Sequence, residues 1–357
     1  MGLSPPTAAG LNGSRAFRAA LARSCGVVLL LAAIEGLVLL PTWIKWHWHN
    51  ESYAVLECAP SCEDNTALSL VRVHRMADLG AMQWQLARHH LSEVDPRCSL
   101  LWPEISPNCM AAAGTTVAIC QSHRDLYLGD LSRPDEPAEL LGKHIENRVL
   151  KLTPDAARLV SFGNTALCVW DVPARRLLWS EAEHSLRSLV LSADGRWLVC
   201  GTLDGKLQWR SIDEGKIADS IEIHDGEVLS VAVTPDAGLA AALRDDQQLV
   251  IVDRKCGAVR TRRSHPYSLA VAISPDGQLV ASAVKHVKKC DLRVTDAVSG
   301  EPIGEFPAHA DSILGMEFTD ATRLLTWGQD GAIHHWDARR GARLLTVQPR
   351  IDASWFD

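Results

Sequence analysis

The 357-residue sequence predicts an all-β chain of four-stranded sheets wedged side by side around an axis, preceded by one membrane-crossing helix. Three observations predict this. Five histidines, His144, His184, His224, His265 and His309, recur at intervals of 40, 40, 41 and 44 residues. After each, short apolar runs alternate with polar turns in one repeated script. Well ahead of the repeats lies a 20-residue apolar run over 25–44. Composition removes several classes. With 47% hydrophobic and 22% charged residues, the chain is neither intrinsically disordered nor a multi-span membrane protein. A net charge of -7 speaks against a nucleic-acid partner, which calls for a basic footprint. Ten cysteines in so long a chain are too sparse for a disulfide scaffold.

The N-terminal elements come first. Residues 1–24 form a basic tail carrying Arg15, Arg18 and Arg23 and no acid. The run 25–44 is long enough to cross a bilayer core as a helix. Glu35 interrupts it at a cost of roughly 2.5–3.5 kcal/mol, which the surrounding Leu, Val and Ile offset. Trp43, Trp46 and Trp48, mixed with Lys45, His47 and His49, read as an interfacial belt leading into a linker over 45–52. The arginines before the run place the N-terminus in the cytoplasm and the remainder across the membrane. Two alternatives stay open. A cleaved signal peptide would need an A-x-A-like site, and none follows the run. A buried soluble helix is disfavoured by apolarity around its whole circumference. His47 and His49 share one side of an extended strand, but no third ligand accompanies them, so they read as anchoring residues.

Residues 53–357 form the second domain, with its clearest repeats at 144–183, 184–223, 224–264, 265–308 and 309–349. A first strand ends in a turn at Asp155, Asp194, Asp236, Asp276 or Asp320. A second strand follows (RLVSFG, RWLVCG, GLAAAL, QLVASA, RLLTWG), then a third such as ALCVWD at 166–171 or AIHHWD at 332–337. A weaker fourth strand closes the unit. Runs of about five or six residues are too short for helices. Pro-Asp and Asp-Gly pairs supply the turns between them. One four-stranded unit cannot bury both faces alone, whereas radial stacking buries them against each other. Upstream, EISPNCM, TTVAIC, DLYLGD and AELLG make a sixth unit starting near residue 99. YAVLECA, TALSLVRVH and GAMQWQLA offer three more strands, although MADLGAMQWQLARHH equally fits a helix through Leu79, Met82 and Leu86. The C-terminal RIDASWFD, with Phe356 38 residues after Phe318, would supply the inner strand of a seventh unit. The alternative is six units with an N-terminal extension.

A repeat near 40 residues with a leading His and terminal Trp-Asp pairs resembles the WD-repeat β-propellers, the WD40 family. The pairs are Trp170-Asp171 and Trp336-Asp337, with degenerate forms at Val252-Asp253 and Thr295-Asp296. The resemblance covers residues 144–349. It implies a buried hydrogen-bond chain within each blade, complete in the last one as His309, Thr326, Asp330 and Trp336. Other blades depart from it. One has Ser161 and Trp170 but Asn164 or Thr165 in place of Asp. The next has Asp204, with Cys200 at the hydroxyl position and Trp209 one residue out of step. A third has Ala241 at the hydroxyl position, and a fourth carries extra residues around Lys285 to Lys289. The expected propeller is therefore irregular.

Nothing in the chain matches a nucleophile elbow, a Walker loop, HExxH or CxxCH. The repeated His read as structural, and the repeated Asp as turn formers. Cys168, Cys200 and Cys120 fall in strands and read as buried thiols. Cys58 and Cys62 flank a Pro-containing turn and are a candidate disulfide if this region lies outside the cytoplasm, as are Cys98 and Cys109. The resemblance implies binding at the rim where inner strands begin, at Glu146, Arg148, Arg187, Glu227, Tyr267 and Gln329. Their mixed signs fit a protein or peptide partner better than a phosphate. Each of them taken singly also fits an ordinary solvated loop. The reading is a monomeric, membrane-tethered, non-catalytic interaction scaffold without cofactor or metal. The alternatives are an extracytoplasmic propeller enzyme with a metal or hydrolytic centre in its channel, and a soluble cytoplasmic interaction protein.

Overall fold

The computed structural model describes residues 52–60, 66–74, 82–90, 99–102, 107–121, 125–143, 147–163, 166–223, 225–264, 268, 270–287 and 289–347. Among them every helix or strand assigned is a β-strand, and no helix is long and apolar enough to cross a membrane. The apolar run 25–44 lies outside the described residues.

A four-stranded sheet is formed by β1 (Ser52–Pro60), β2 (Thr66–His74), β3 (Met82–His90) and β4 (Ser99–Leu101). Six more sheets follow the same plan. They are β5 (Pro107–Ala113), β6 (Thr116–Gln121), β7 (Asp125–Asp130) and β8 (Glu139–Lys143); β9 (Asn147–Leu152), β10 (Arg158–Gly163), β11 (Ala166–Asp171) and β12 (Arg176–Ala182); β13 (Leu186–Leu191), β14 (Trp197–Thr202), β15 (Lys206–Ser211) and β16 (Ile217–Glu222); β17 (Val228–Val233), β18 (Leu239–Arg244), β19 (Gln248–Asp253) and β20 (Ala258–Ser264); β21 (Val271–Ile273), β22 (Leu279–Lys285), β23 (Cys290–Asp296) and β24 (Pro302–His309); and β25 (Ile313–Phe318), β26 (Arg323–Gly328), β27 (Ile333–Asp337) and β28 (Ala342–Val347). Strands pair antiparallel in chain order, so each of these six sheets is a meander.

The sequence of each strand reflects its place. Second and third strands such as β10, β18 and β19 are buried on both faces and read as continuous apolar runs. Fourth strands such as β12 and β16 are edges, largely exposed, and carry charged residues. The core lies between sheets. Leu198 and Cys200 of β14 pack with Val160, Phe162 and Val169 of the preceding sheet. Their neighbour Val199 points the opposite way, as strand alternation requires, and packs with Val228 and Val231 of the following sheet. First strands of successive sheets touch: β5 with β9, β9 with β13, β13 with β17, β17 with β21, and β21 with β25. β1 touches β25, β26 and β5.

The turns after the first strands share one chemistry. The hydroxyls of Thr153, Ser192, Thr234 and Ser274 donate to Asp155, Asp194, Asp236 and Asp276 at 2.6, 2.5, 2.8 and 2.5 Å. Each Asp accepts the amide two residues on, at Ala157, Arg196, Gly238 and Gln278. The repeated Asp thus stabilise turns, with Thr and Ser as their partners.

One of two open readings is decided and two expectations change. MADLGAMQWQLARHH contains strand β3, because Met82, Trp84, Leu86 and Arg88 alternate with Gln83, Gln85 and Ala87 at a period of two. The unit expected to start near residue 99 starts at Pro107, and Ser99–Leu101 instead closes the preceding sheet. All four strands of that preceding sheet come from residues 52–101, with β1 in the first-strand place where the C-terminal RIDASWFD was expected. The segment 348–357 lies outside the described residues.

Candidate functional site

Sheet β25–β28 brings His309, Thr326, Asp330 and Trp336 together. His309 ends β24 and reaches across into the next sheet. Its Nδ1 lies 2.9 Å from Asp330 Oδ1, and its Nε2 lies 2.9 Å from Thr326 Oγ1. The Trp336 indole donates to the same Thr326 oxygen at 2.9 Å. Asp330 also accepts the amides of Ala310 and Ala332. Burial works to raise the Asp330 carboxyl, but the His309 bond and charge and the two amides bring it below its ordinary value. His334 stacks beside His309 with ring centroids 4.4 Å apart, and its Nδ1 lies 3.0 Å from Thr346 Oγ1. Burial, then the neighbouring His309 and Arg343, push His334 down to about 4. The group is a dry, internally satisfied polar chain that ties two sheets together.

Strand register shows what stands at the same places elsewhere. Trp170 faces Leu159 as Trp336 faces Leu324, and its indole donates to Ser161 at 3.1 Å. In the next sheet Leu198 faces Arg210, so a guanidinium takes the tryptophan's place. Trp209, one residue earlier, points to the other face and donates to the Ala237 carbonyl at 2.9 Å. Arg210 is 3% exposed. Its guanidinium donates to Glu181 at 2.8 Å, Glu183 at 2.7 Å and Gln208 at 2.9 Å. Glu183 is buried, whereas the repeat histidine beside it, His184, is exposed. This sheet therefore has, in place of the His–Trp chain, a buried ion pair running from the end of one sheet into the next. Burial works to raise Glu183, but bonds from Ser185 and the charge of Arg210 bring it below its ordinary value. Cys200, at the hydroxyl position, is pushed up to about 12 by burial. Cys168 is likewise raised to about 11, and Cys109, Cys120 and Cys290 are buried in strands. In sheet β17–β20, Ala240 faces Val252, which places Ala242 at the hydroxyl position and corrects the expected Ala241 by one residue. Sequence alone pointed to Trp209 because of its side chain. The signal it missed was the buried basic residue next to it, with Glu181 and Glu183 spaced on one side of an extended segment.

The rim residues are only partly brought together. Arg187 in β13 and Glu227, just before β17, form an ion pair at 3.2 Å that links neighbouring sheets. Both side chains are nearly half exposed, so the pair contributes at most about 1 kcal/mol and stays accessible to a partner. Gln329 is exposed beside Asp330, with its amide bonded to the Ser312 carbonyl. Arg148 is a residue of β9. Glu146, Tyr267 and Cys62 lie outside the described residues, as do Cys98 and the histidines at 144, 224 and 265. Cys58 is a residue of β1.

Residues 176–209 match the family model described as WD domain, G-beta repeat. The match begins in β12 and ends at Trp209 in β15, so the repeat unit in sequence straddles two sheets. The chain is 26% identical over 42% of its length to a WD repeat-containing protein 91 homolog of Dictyostelium discoideum, covering 20% of that protein. It is 24% identical over 68% of its length to telomerase protein component 1 of Mus musculus, covering 9% of it. It is 24% identical over 42% of its length to actin-interacting protein 1-2 of Arabidopsis thaliana, covering 25% of it. The chain thus spans a quarter or less of the length of these relatives. The matched repeat and the relatives support a WD-repeat protein, and the all-β meander sheets are consistent with a propeller.

Proposed function

We propose that the chain is a seven-bladed β-propeller that acts as a non-catalytic protein–protein interaction scaffold, tethered to a membrane through residues 25–44 with the propeller on the extracytoplasmic side. The observation that carries the scaffold reading is the repetition of one meander sheet whose polar interior is spent on holding sheets together. The buried His309, Asp330 and Glu183 are engaged in bonds that hold the sheets together, which leaves recognition to the loops and rim. Support for seven blades comes from β1, which lies against both β25 and β5 as a closing first strand would. Support for the tether comes from the apolar run, its tryptophan belt and the arginines before it. A tether of this kind raises the effective concentration of the propeller toward any partner in the same membrane.

The test is proximity cross-linking on intact membranes with the full chain, compared with a variant carrying Arg187→Ala, Glu227→Ala and Gln329→Ala. The expected outcome is a defined set of cross-linked proteins that the triple variant loses, with the chain retained in the pellet after alkaline extraction. An unchanged set would discard this rim as the binding face. Release by alkaline extraction would discard the tether.

A further inference from the structure

The hairpin between β22 and β23 reaches further than its counterpart between β18 and β19. Each of its strands has seven residues against six, pairing runs out to Lys285 and Cys290, and the His286 amide bonds the Lys289 carbonyl at 2.8 Å. This is the segment whose extra residues the repeat script leaves unexplained. It folds His286 over two carboxylates of the same sheet. His286 Nε2 lies 3.1 Å from Asp291 Oδ2 and 3.8 Å from Glu305 Oε1. Asp291 and Arg293 share a face two residues apart, and Arg293 stands directly opposite Glu305, so both carboxylates belong to one side of the sheet.

Two features point beyond a hydrogen-bonded cluster. The Asp291 side chain is only 8% exposed, yet its Oδ1 is buried with no hydrogen-bond partner. A buried carboxylate oxygen left unmatched is costly, and chelation of a cation through both oxygens of Asp291 would remove that cost. The spacing is also that of a ligand set. Two ligands at about 2.0–2.1 Å from a tetrahedral ion stand roughly 3.3 Å apart, between the two separations seen here.

We propose that His286, Asp291 and Glu305 bind a divalent first-row transition ion of the zinc type, with water completing the coordination. One imidazole and two carboxylates suit zinc or cobalt; calcium and magnesium prefer an all-oxygen set of six or more ligands. Glu305 and His286 are 35% and 42% exposed, which leaves a path for the ion. Arg293 holds Glu305 by Oε2 at 2.6 Å and leaves Oε1 turned to His286, so it acts as a positioning residue. Lys289 Nζ, 2.8 Å from Asp291 Oδ2, occupies the ion's place electrostatically and must swing out on its flexible, half-exposed stem. The His309–Asp330–His334 group also has its ligand atoms close together, but its nitrogens are bonded within the blade interior already described.

The experiment is calorimetric titration of zinc(II) into the full chain, with cobalt(II) absorption as a second probe. The proteins compared are the parent, His286→Ala, Glu305→Gln and Lys289→Ala. The parent is expected to bind one equivalent more than His286→Ala, and Glu305→Gln to weaken that site roughly tenfold or more. Lys289→Ala removes the competing ammonium and is expected to tighten the site. Thermal unfolding without metal should be alike in the parent and His286→Ala, which separates lost ligation from lost folding. Zinc bound elsewhere cancels in the comparison. Equal stoichiometry and affinity in the parent and His286→Ala, or weaker binding in Lys289→Ala, would overturn the proposal.

Discussion

The Thr326 hydroxyl sits between His309 and Trp336, and the neighbouring His334 makes this polar interior sensitive to acid. An imidazole held neutral down to about 4, against 6.5 when unfolded, binds its proton later in the folded chain than in the unfolded one. The stabilisation is fully present above pH 6.5 and is lost progressively as pH falls toward 4. At pH 5 the loss from His334 alone comes to about 2 kcal/mol. Asp330 works in a lower window: its carboxyl is depressed, so its contribution holds above 3.8 and fades only below that. Replacing His334→Gln should therefore flatten the fall in stability between pH 7 and pH 5, as read from urea unfolding at each pH. An unchanged slope in the variant would show that other groups set the acid response.

Two of the sheets join their neighbours through a polar seam, and they do so with different residues. Sheet β25–β28 uses imidazole, hydroxyl and indole, whereas sheet β13–β16 uses Arg210 with Glu181 and Glu183. Buried ion pairs contribute little net stability against an apolar pair of the same volume, yet removing one partner strands the other. Arg210→Ala should therefore cost about 3–5 kcal/mol, and Arg210→Met combined with Glu181→Gln and Glu183→Leu should recover most of that loss. Chemical denaturation midpoints of the three proteins check this, and an equal loss in the triple variant would mean the ion pair itself is not what Arg210 supplies. The turns show which chemistry is local enough to read directly. Asp155, Asp194, Asp236 and Asp276 bond a hydroxyl two residues away, so their role follows from adjacent residues. Arg210 and Ala242 owe their places to cross-strand register, which a one-residue offset in strand start is enough to move.

Across the whole chain, the histidine period and the alternation of apolar runs made the all-β sheets and their order legible. Contacts between residues far apart in sequence were not legible in the same way. His286 and Glu305 meet only because β23 and β24 pair, and Glu183 reaches Arg210 only because one sheet ends where the next begins. The first strand of the sheet at 52–101 is the sharpest case. A run at Ser52–Pro60 and a run at the C-terminus both have the pattern for that place, and pairing, not pattern, puts β1 beside β2. With β1 against β25 and β5, the proposed ring closes on seven sheets, and that closure underlies both the rim and the scaffold reading. Counting the lobes in end-on projections of the purified chain, imaged by electron microscopy with a bound antibody fragment, tests it most directly. Seven lobes around one axis are expected; six lobes, or an arc with a gap where the sheet at 52–101 should meet the last one, would contradict the account.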